Sequence, residues 1–317
     1  MKTEKMKIAL FRCCMTSMGL SQYETSSDAV LGELGIEFAE MKEFNCCGYP
    51  LRNLNFKAYL LSSARNLALA ERAGLDLLTV CNCCYGSLKY AEHVMEEFPQ
   101  TREEINASLQ NEGLRFKGRV SVKHLLGVLH TDFGIDFIRK RLKKDLGGLR
   151  VAVHYGCHLL RPSKVVGFDN GGTPPVKFDA LVEALGAQSI PWMGKDDCCG
   201  SPVLGVNDEL SMDLTEKKLR NAHQGGAECL MVVCPYCQMQ FGKIQNRLIE
   251  TRNFDTPVPC VVYPQLLGLC LGIDIDKLGI EGELPAVVSA HLRDIFEKPP
   301  TVPQELQLNP EMEFHSR

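Results

Sequence analysis

The sequence carries no excess of positive charge: 35 Lys and Arg stand against 39 Asp and Glu, for a formal net charge of -4. The basic footprint that nucleic-acid binding needs is missing. No stretch approaches the roughly 18 uninterrupted apolar residues of a membrane helix, so no membrane span is expected. The opening MKTEKMKIALFRCC has lysines but no sustained apolar core and no small-residue cleavage site. It does not read as a signal peptide. A cytoplasmic location is therefore expected, where thiols stay reduced. No G-x-G-x-x-G follows a candidate strand, so no flavin or nucleotide site is expected. Electrons handled by such a chain would arrive from another protein.

Cysteine is what the sequence has in plenty, with 15 among 317 residues. Reduced cysteines in such number point to metal ligation.

Self-comparison shows a duplication, which has to be settled before any fold is assigned. KIALFRCC (Lys7 to Cys14) repeats as RVAVHYGC (Arg150 to Cys157) at an offset of 143. NCCGYP (Asn45 to Pro50) repeats as DCCGSP (Asp197 to Pro202) at an offset of 152. LTVCNCC (Leu78 to Cys84) repeats as MVVCPYC (Met231 to Cys237) at an offset of 153. The change of offset puts nine extra residues between the first two landmarks of the second half. The Gly/Pro-rich run between Leu159 and Pro175 is the expected place.

Both halves share one pattern. Short apolar runs at 7–12 and 150–155 predict strands. Helices are expected at 23–34 and 177–186, ending at glycine. Second strands are expected at 36–41 and 187–192, followed by the CCG turn. Helical spacing covers 55–73 and 208–225, third strands 75–80 and 228–233, and further helices follow from Tyr85 and Gln238. The fold class is α/β: two duplicated β-α-β-α-β-type halves with small parallel sheets, related by a pseudo-twofold. The expected division is a first half over 1–99, a helical linker over 100–149, a second half over 150–298 and an extended tail over 299–317. Every cysteine landmark then falls at the C-terminal end of a strand, where open α/β sheets place their sites.

The first half presents Cys14, Cys46, Cys47, Cys81 and Cys84, and the second presents Cys157, Cys198, Cys199, Cys234 and Cys237. Thiolates select zinc, copper(I) or iron–sulfur clusters. A lone C-x2-C is shared by zinc ribbons, redox dithiols and clusters. Five cysteines repeated in register are far more specific. Zinc closes with four ligands. Adjacent cysteines on extended backbone point apart. A larger object with several metal atoms suits them better, which favours a polynuclear iron–sulfur cluster.

FRCC, NCCGYP and CNCCYG, with HYGCHLLRPS, DCCGSP and CPYCQ, resemble the duplicated cysteine-rich CCG domain of the heterodisulfide reductase B-subunit family over roughly residues 7–270. The resemblance implies two noncubane 4Fe-4S clusters, each held by the five cysteines of one half. It implies a disulfide cleaved between them, one electron from each. It also implies two partners: a ferredoxin-like subunit with cubane 4Fe-4S clusters and a flavoprotein subunit. The direction, reducing or forming a disulfide, stays open.

Cys13 aligns with Gly156 and Cys83 with Tyr236, so neither is repeated and both read as bystanders. Cys229, Cys260 and Cys270 lie in apolar runs and read as small hydrophobes. His154 and His158 flank Cys157. Arg161 and Lys164 follow it and are candidate partners for an anionic disulfide or thiol substrate. Gly48 and Gly200 read as turn glycines. Two other functions compete with the leading one: the iron–sulfur subunit of a lactate, glycolate or quinone-linked dehydrogenase, and a scaffold that only relays electrons.

Overall fold

A computed structural model describes residues 8–169 and 174–280. The first half runs β1 (Ile8–Phe11), α1 (Ser21–Glu33), β2 (Phe38–Glu40), α2 (Phe56–Ala73), β3 (Asp76–Thr79), α3 (Asn82–Glu97), α4 (Pro99–Leu109) and β4 (Val122–His124). Short helices α5 (Leu125–Gly127) and α6 (Ile135–Arg139) lead onward. The second half runs β5 (Arg150–Val153), α7 (Cys157–Leu160), α8 (Ser163–Val166), α9 (Lys177–Glu183), β6 (Gln188–Ser189) and α10 (Asp208–Gln224). It continues through β7 (Cys229–Val232), α11 (Pro235–Met239), α12 (Gln245–Arg252), β8 (Cys260–Val262) and α13 (Tyr263–Cys270).

Each half holds one four-stranded parallel sheet, ordered β2-β1-β3-β4 and β6-β5-β7-β8. Of the four central strands, β1 (IALF) and β7 (CLMV) are buried throughout and β3 and β5 at all but their first residue, as a parallel sheet covered on both faces requires. Ile8 pairs with Asp76 and Val151 with Cys229, so the sheets reproduce the sequence offsets of 143 and 153. Cys14 and Cys157 therefore hold the same position in their halves.

The fourth strand of each sheet is not among the expected elements. Val122–His124 pairs with β3 and so belongs to the first sheet, although 100–149 read as a helical linker. The first half thus reaches into that span. Strands of three residues are too short to show a period. The tail from Pro299 lies outside the described residues, as do Gly171 and Gly172 of the inserted loop.

The halves pack reciprocally. Helix α1 lies on α13 of the other half, and α9 lies on α5. Helix α3 meets α7 and α8 across the seam, and a Cβ on Gly86 would stand 2.7 Å from the His158 carbonyl oxygen. Tyr85 donates from α3 to the Val166 carbonyl (2.6 Å). The start of the inserted loop is therefore helix docked on the first half.

The caps repeat as well. Asn55 accepts from the Ala58 N–H at the start of α2, and Asn207 accepts from the Leu210 N–H at the start of α10. Gly48 and Gly200 have φ of 83° and 97°, and an added Cβ would lie 2.8 Å from the Tyr59 oxygen and 2.6 Å from the Ser211 oxygen. Both the backbone angle and the space demand glycine. Gly200→Ala is expected to cost about 1–3 kcal/mol, seen as a lower melting temperature in the apoprotein.

Candidate cluster-binding centre

In each sheet the chain moves outward in opposite directions from the two central strands. Their C-terminal ends form the crevice where open α/β sheets bind ligands. Cys13 and Cys14 follow β1 and Cys81 follows β3. Cys157 follows β5 and Cys234 follows β7. The CCG turns bring the remaining pairs in from the sheet edge, tied to the following helix. Ser63 donates to the Cys47 carbonyl (2.5 Å) and Thr215 to the Cys199 carbonyl (3.1 Å). Gln240 in turn donates to Thr215 (2.6 Å) and Ser211 (2.8 Å).

In the first half, Cys46 accepts from the thiols of Cys14 and Cys47 and from the Gly48 N–H, which hold it down to about 3 against the opposing effect of burial. Cys14 is pushed up by its contacts with Cys13 and Cys46. Cys84 is pushed up by Cys13, Cys47 and Cys81. The sulfurs of Cys13, Cys81 and Cys84 lie within 4.8 Å of one another.

The second half repeats the logic. Cys198 is held down to about 2 by the Cys157 and Cys199 thiols and by the Gly200 N–H at 3.4 Å. Cys199 is pushed up to about 12 by Cys198, although Cys237 opposes it. Within each CCG pair it is the first cysteine that is poised as thiolate, and Cys81 and Cys234 are held down as well by their contacts with neighbouring thiols.

The two sets meet at the seam. Cys234 contacts Cys81 and Cys83 of the first half as well as Cys237. Cys83 and Cys13, bystanders by register, thus both touch ligand candidates. Their adjacency to Cys84 and Cys14 was the only sequence signal. At the seam, beside the second set, a narrow, mainly apolar crevice is lined by Cys157, His158, Tyr236 and Cys237 together with Tyr49 and Cys83 of the first half. Tyr49 meets His158 edge-on at 4.8 Å and Tyr236 at 6.0 Å.

The other candidates separate. His158 Nδ1 lies 3.3 Å from the Cys157 sulfur and 3.8 Å from that of Cys83, and burial pushes its pKa down to about 4. His154 is buried beside Cys199 and Cys237. Arg161 is exposed and turns to Asp196 at 3.4 Å, while Lys164 is exposed on α8. Cys229 and Cys270 pack in the core and Cys260 packs against it, and burial pushes all three thiols up. Sequence reasoning missed Tyr23 and Lys218. Lys218 falls on the inward face of α10 with Ser211, Thr215 and Ala222, a stripe visible in the helical spacing.

The donor set fits an iron–sulfur group. All fifteen cysteines are free thiols, and each half gathers five or more. Neither ring nitrogen of His154 has a hydrogen-bond partner, and one of them lies within 4.8 Å of the sulfurs of Cys199 and Cys237. Soft ligands beyond four per site exceed what zinc takes. Among the described residues no helix is long and apolar enough to cross a membrane.

The cysteine-rich CCG domain matches this chain twice, over residues 8–89 and 151–242. The B subunit of the ferredoxin/F(420)H(2)-dependent CoB-CoM heterodisulfide reductase of Methanosarcina acetivorans is 35% identical, covering 87% of this chain and 92% of the relative. The 8-methylmenaquinol:fumarate reductase membrane anchor subunit of Wolinella succinogenes is 34% identical, covering 86% and 95%. The crystal structure of a hypothetical protein from Helicobacter pylori shares the fold at a TM-score of 0.70 and 16% identity, over 89% of this chain. This chain spans about half (52%) of that structure's chain. The twofold CCG match and the extent of these similarities show that the chain belongs to the heterodisulfide reductase B-subunit family of cysteine-rich CCG proteins.

Proposed function

We propose that this chain is the catalytic iron–sulfur subunit of a heterodisulfide reductase-like complex, reducing or forming a disulfide between two noncubane 4Fe-4S clusters. One observation carries the reading: both halves keep a full set of five cysteines, and the sets touch through Cys81, Cys83 and Cys234. Bound clusters would supply single electrons and iron sites for thiolate sulfur. Cys14, Cys46, Cys47, Cys81 and Cys84 would hold one, and Cys157, Cys198, Cys199, Cys234 and Cys237 the other. Tyr49 and Tyr236 line the apolar crevice at the seam beside the second set. His158, neutral and half-buried beside Cys157, is placed to exchange a proton with a thiol in that crevice.

The proposed partners are a ferredoxin-like subunit with cubane clusters and a flavoprotein subunit, in the cytoplasm. The test combines the reconstituted chain, a reduced ferredoxin and a small disulfide under anaerobic conditions, with thiol release measured. Thiol release that needs the ferredoxin supports the reading, and turnover with a nicotinamide cofactor alone refutes it. The similarity to a quinol-linked anchor subunit favours a second reading, in which the chain relays electrons without touching a disulfide. Absence of thiol release from the whole native complex would select it.

Lys164 on α8 borders the seam and is exposed. Lys164→Gln is expected to raise KM for an anionic disulfide about two- to fivefold, the size of one exposed charge pair, with kcat and iron content unchanged. Arg161→Gln should do less, because Asp196 already engages that guanidinium.

A further inference from the structure

The two halves differ at one buried position. Asn66 on α2 and Lys218 on α10 are equivalent at the offset of 152. Both reach back to the residues before the CCG turn. Asn66 is neutral: its oxygen accepts from the Asn45 N–H (3.0 Å) and its amide donates to the carbonyls of Asn45 and Cys46 (3.2 Å each). Lys218 donates instead to the carbonyl oxygens of Gly194 and Asp197, the latter at 3.3 Å. Its ammonium also lies 4.9 Å from the centre of the Trp192 ring. The residue is only 3% exposed. Two carbonyl oxygens and an aromatic face are acceptors for a cation. Burial pushes its pKa down, while Asp197, Cys199, Cys237 and Cys198 act the other way.

The cation beside the first set, Arg12, is by contrast half-exposed and already paired. Arg12, at the end of β1, is paired with three carboxylates, Glu24, Asp28 and Glu40. Its counterpart at the offset of 143 is Tyr155. Tyr155 donates to Asp179 (2.7 Å), whose charge Lys195 balances at 2.6 Å. The Asp197 carboxylate does not cancel Lys218, because Asp197 is exposed and its charge is screened by water. The buried ammonium is not.

We propose that Lys218 makes the two cysteine sets electrically unequal, so that the centre held by Cys157, Cys198, Cys199, Cys234 and Cys237 is reduced at the higher potential. This rests on the reading that each set holds a cluster. Each added electron makes a thiolate-bound cluster more negative, and a nearby buried cation stabilises the reduced form. Lys218 thus acts as a positioning charge and not as a ligand.

The experiment is an anaerobic potentiometric titration of the reconstituted chain with dithionite, followed by electron paramagnetic resonance, with iron and sulfide measured on every sample. Cys14→Ser leaves the second-half centre alone to be read, and Cys157→Ser leaves the first. The second-half centre is expected at the higher midpoint. Equal or reversed midpoints overturn the proposal. Lys218→Asn, which copies the solution of the first half, is expected to lower that midpoint and leave the other in place. The exposed neighbour variant Lys217→Gln should move neither. A Lys218→Asn protein with full iron content and an unmoved midpoint also overturns it. If Lys218→Asn holds no iron, the comparison of the two single-centre variants still decides. Wild-type protein that takes up no iron or sulfide would instead remove the cluster reading itself.

Discussion

Anaerobic reconstitution is expected to load about eight iron atoms and about eight acid-labile sulfides into each chain, as two 4Fe-4S clusters require. Cys14→Ser is expected to remove about half of that iron, since it takes one thiolate from one of two sets. Cys13→Ser is expected to leave iron content nearly unchanged. The case for the contrast is register. Ile8 and Val151 pair with equivalent residues of their third strands, so Cys14 stands where Cys157 stands and Cys13 where Gly156 stands. The second half has a complete chain of sulfur contacts from Cys157 to Cys237 with glycine at that place. A Cβ on Gly156 would in fact come 2.6 Å from Asn82 Nδ2, so no thiol fits there. Against this stands the burial of Cys13, 2% exposed, with its sulfur beside Cys81 and Cys84. Measured iron and sulfide decide between them. Loss of half the iron in Cys13→Ser with retention in Cys14→Ser would mean that the halves bind differently. A protein holding two zinc ions and no sulfide would end the cluster reading.

The repeat was legible because the cysteine landmarks keep their order and nearly their spacing, and because the central strands that lead to them are short apolar runs buried along most of their length. Ten ligand candidates followed from that register alone. Less was visible where a residue's role depends on the other half. Strands β4 and β8 are only three residues each and gain their meaning from pairing with β3 and β7. Lys218 looks like one more basic residue of a charged helix until the packing turns it inward. Gly86 carries no local signal and Cys83 reads as a bystander, yet one makes room for the His158 carbonyl and the other meets Cys234. Arg161 was legible as a cation but not as the partner of Asp196, a contact between distant segments.

Tyr23→Ala is expected to be the most destabilising single change outside the cysteines, at about 3–5 kcal/mol for a fully buried aromatic. Tyr23 has no exposed surface. It belongs to α1 of the first half, yet its hydroxyl shares its one proton between the carbonyl oxygens of Val80 (2.5 Å) and Val233. Those residues are equivalents at the offset of 153, each at the end of a third strand and one residue before a ligand cysteine. One phenol therefore ties together the two points from which Cys81 and Cys234 are hung. Its surroundings fit that place: burial first, then Cys234, Cys81, Cys13 and Cys237, push its pKa far up, so it stays a neutral donor. Tyr23→Phe keeps the ring and removes only the donor. It is expected to cost about 1–3 kcal/mol, because two buried carbonyls lose a partner. Urea unfolding of the two variants separates packing from hydrogen bonding. If the hydroxyl holds the two sets at a fixed spacing, Tyr23→Phe should also change the magnetic coupling between the two centres at full iron content. An unchanged spectrum and an unchanged unfolding midpoint in Tyr23→Phe would show that the seam is held by apolar packing alone.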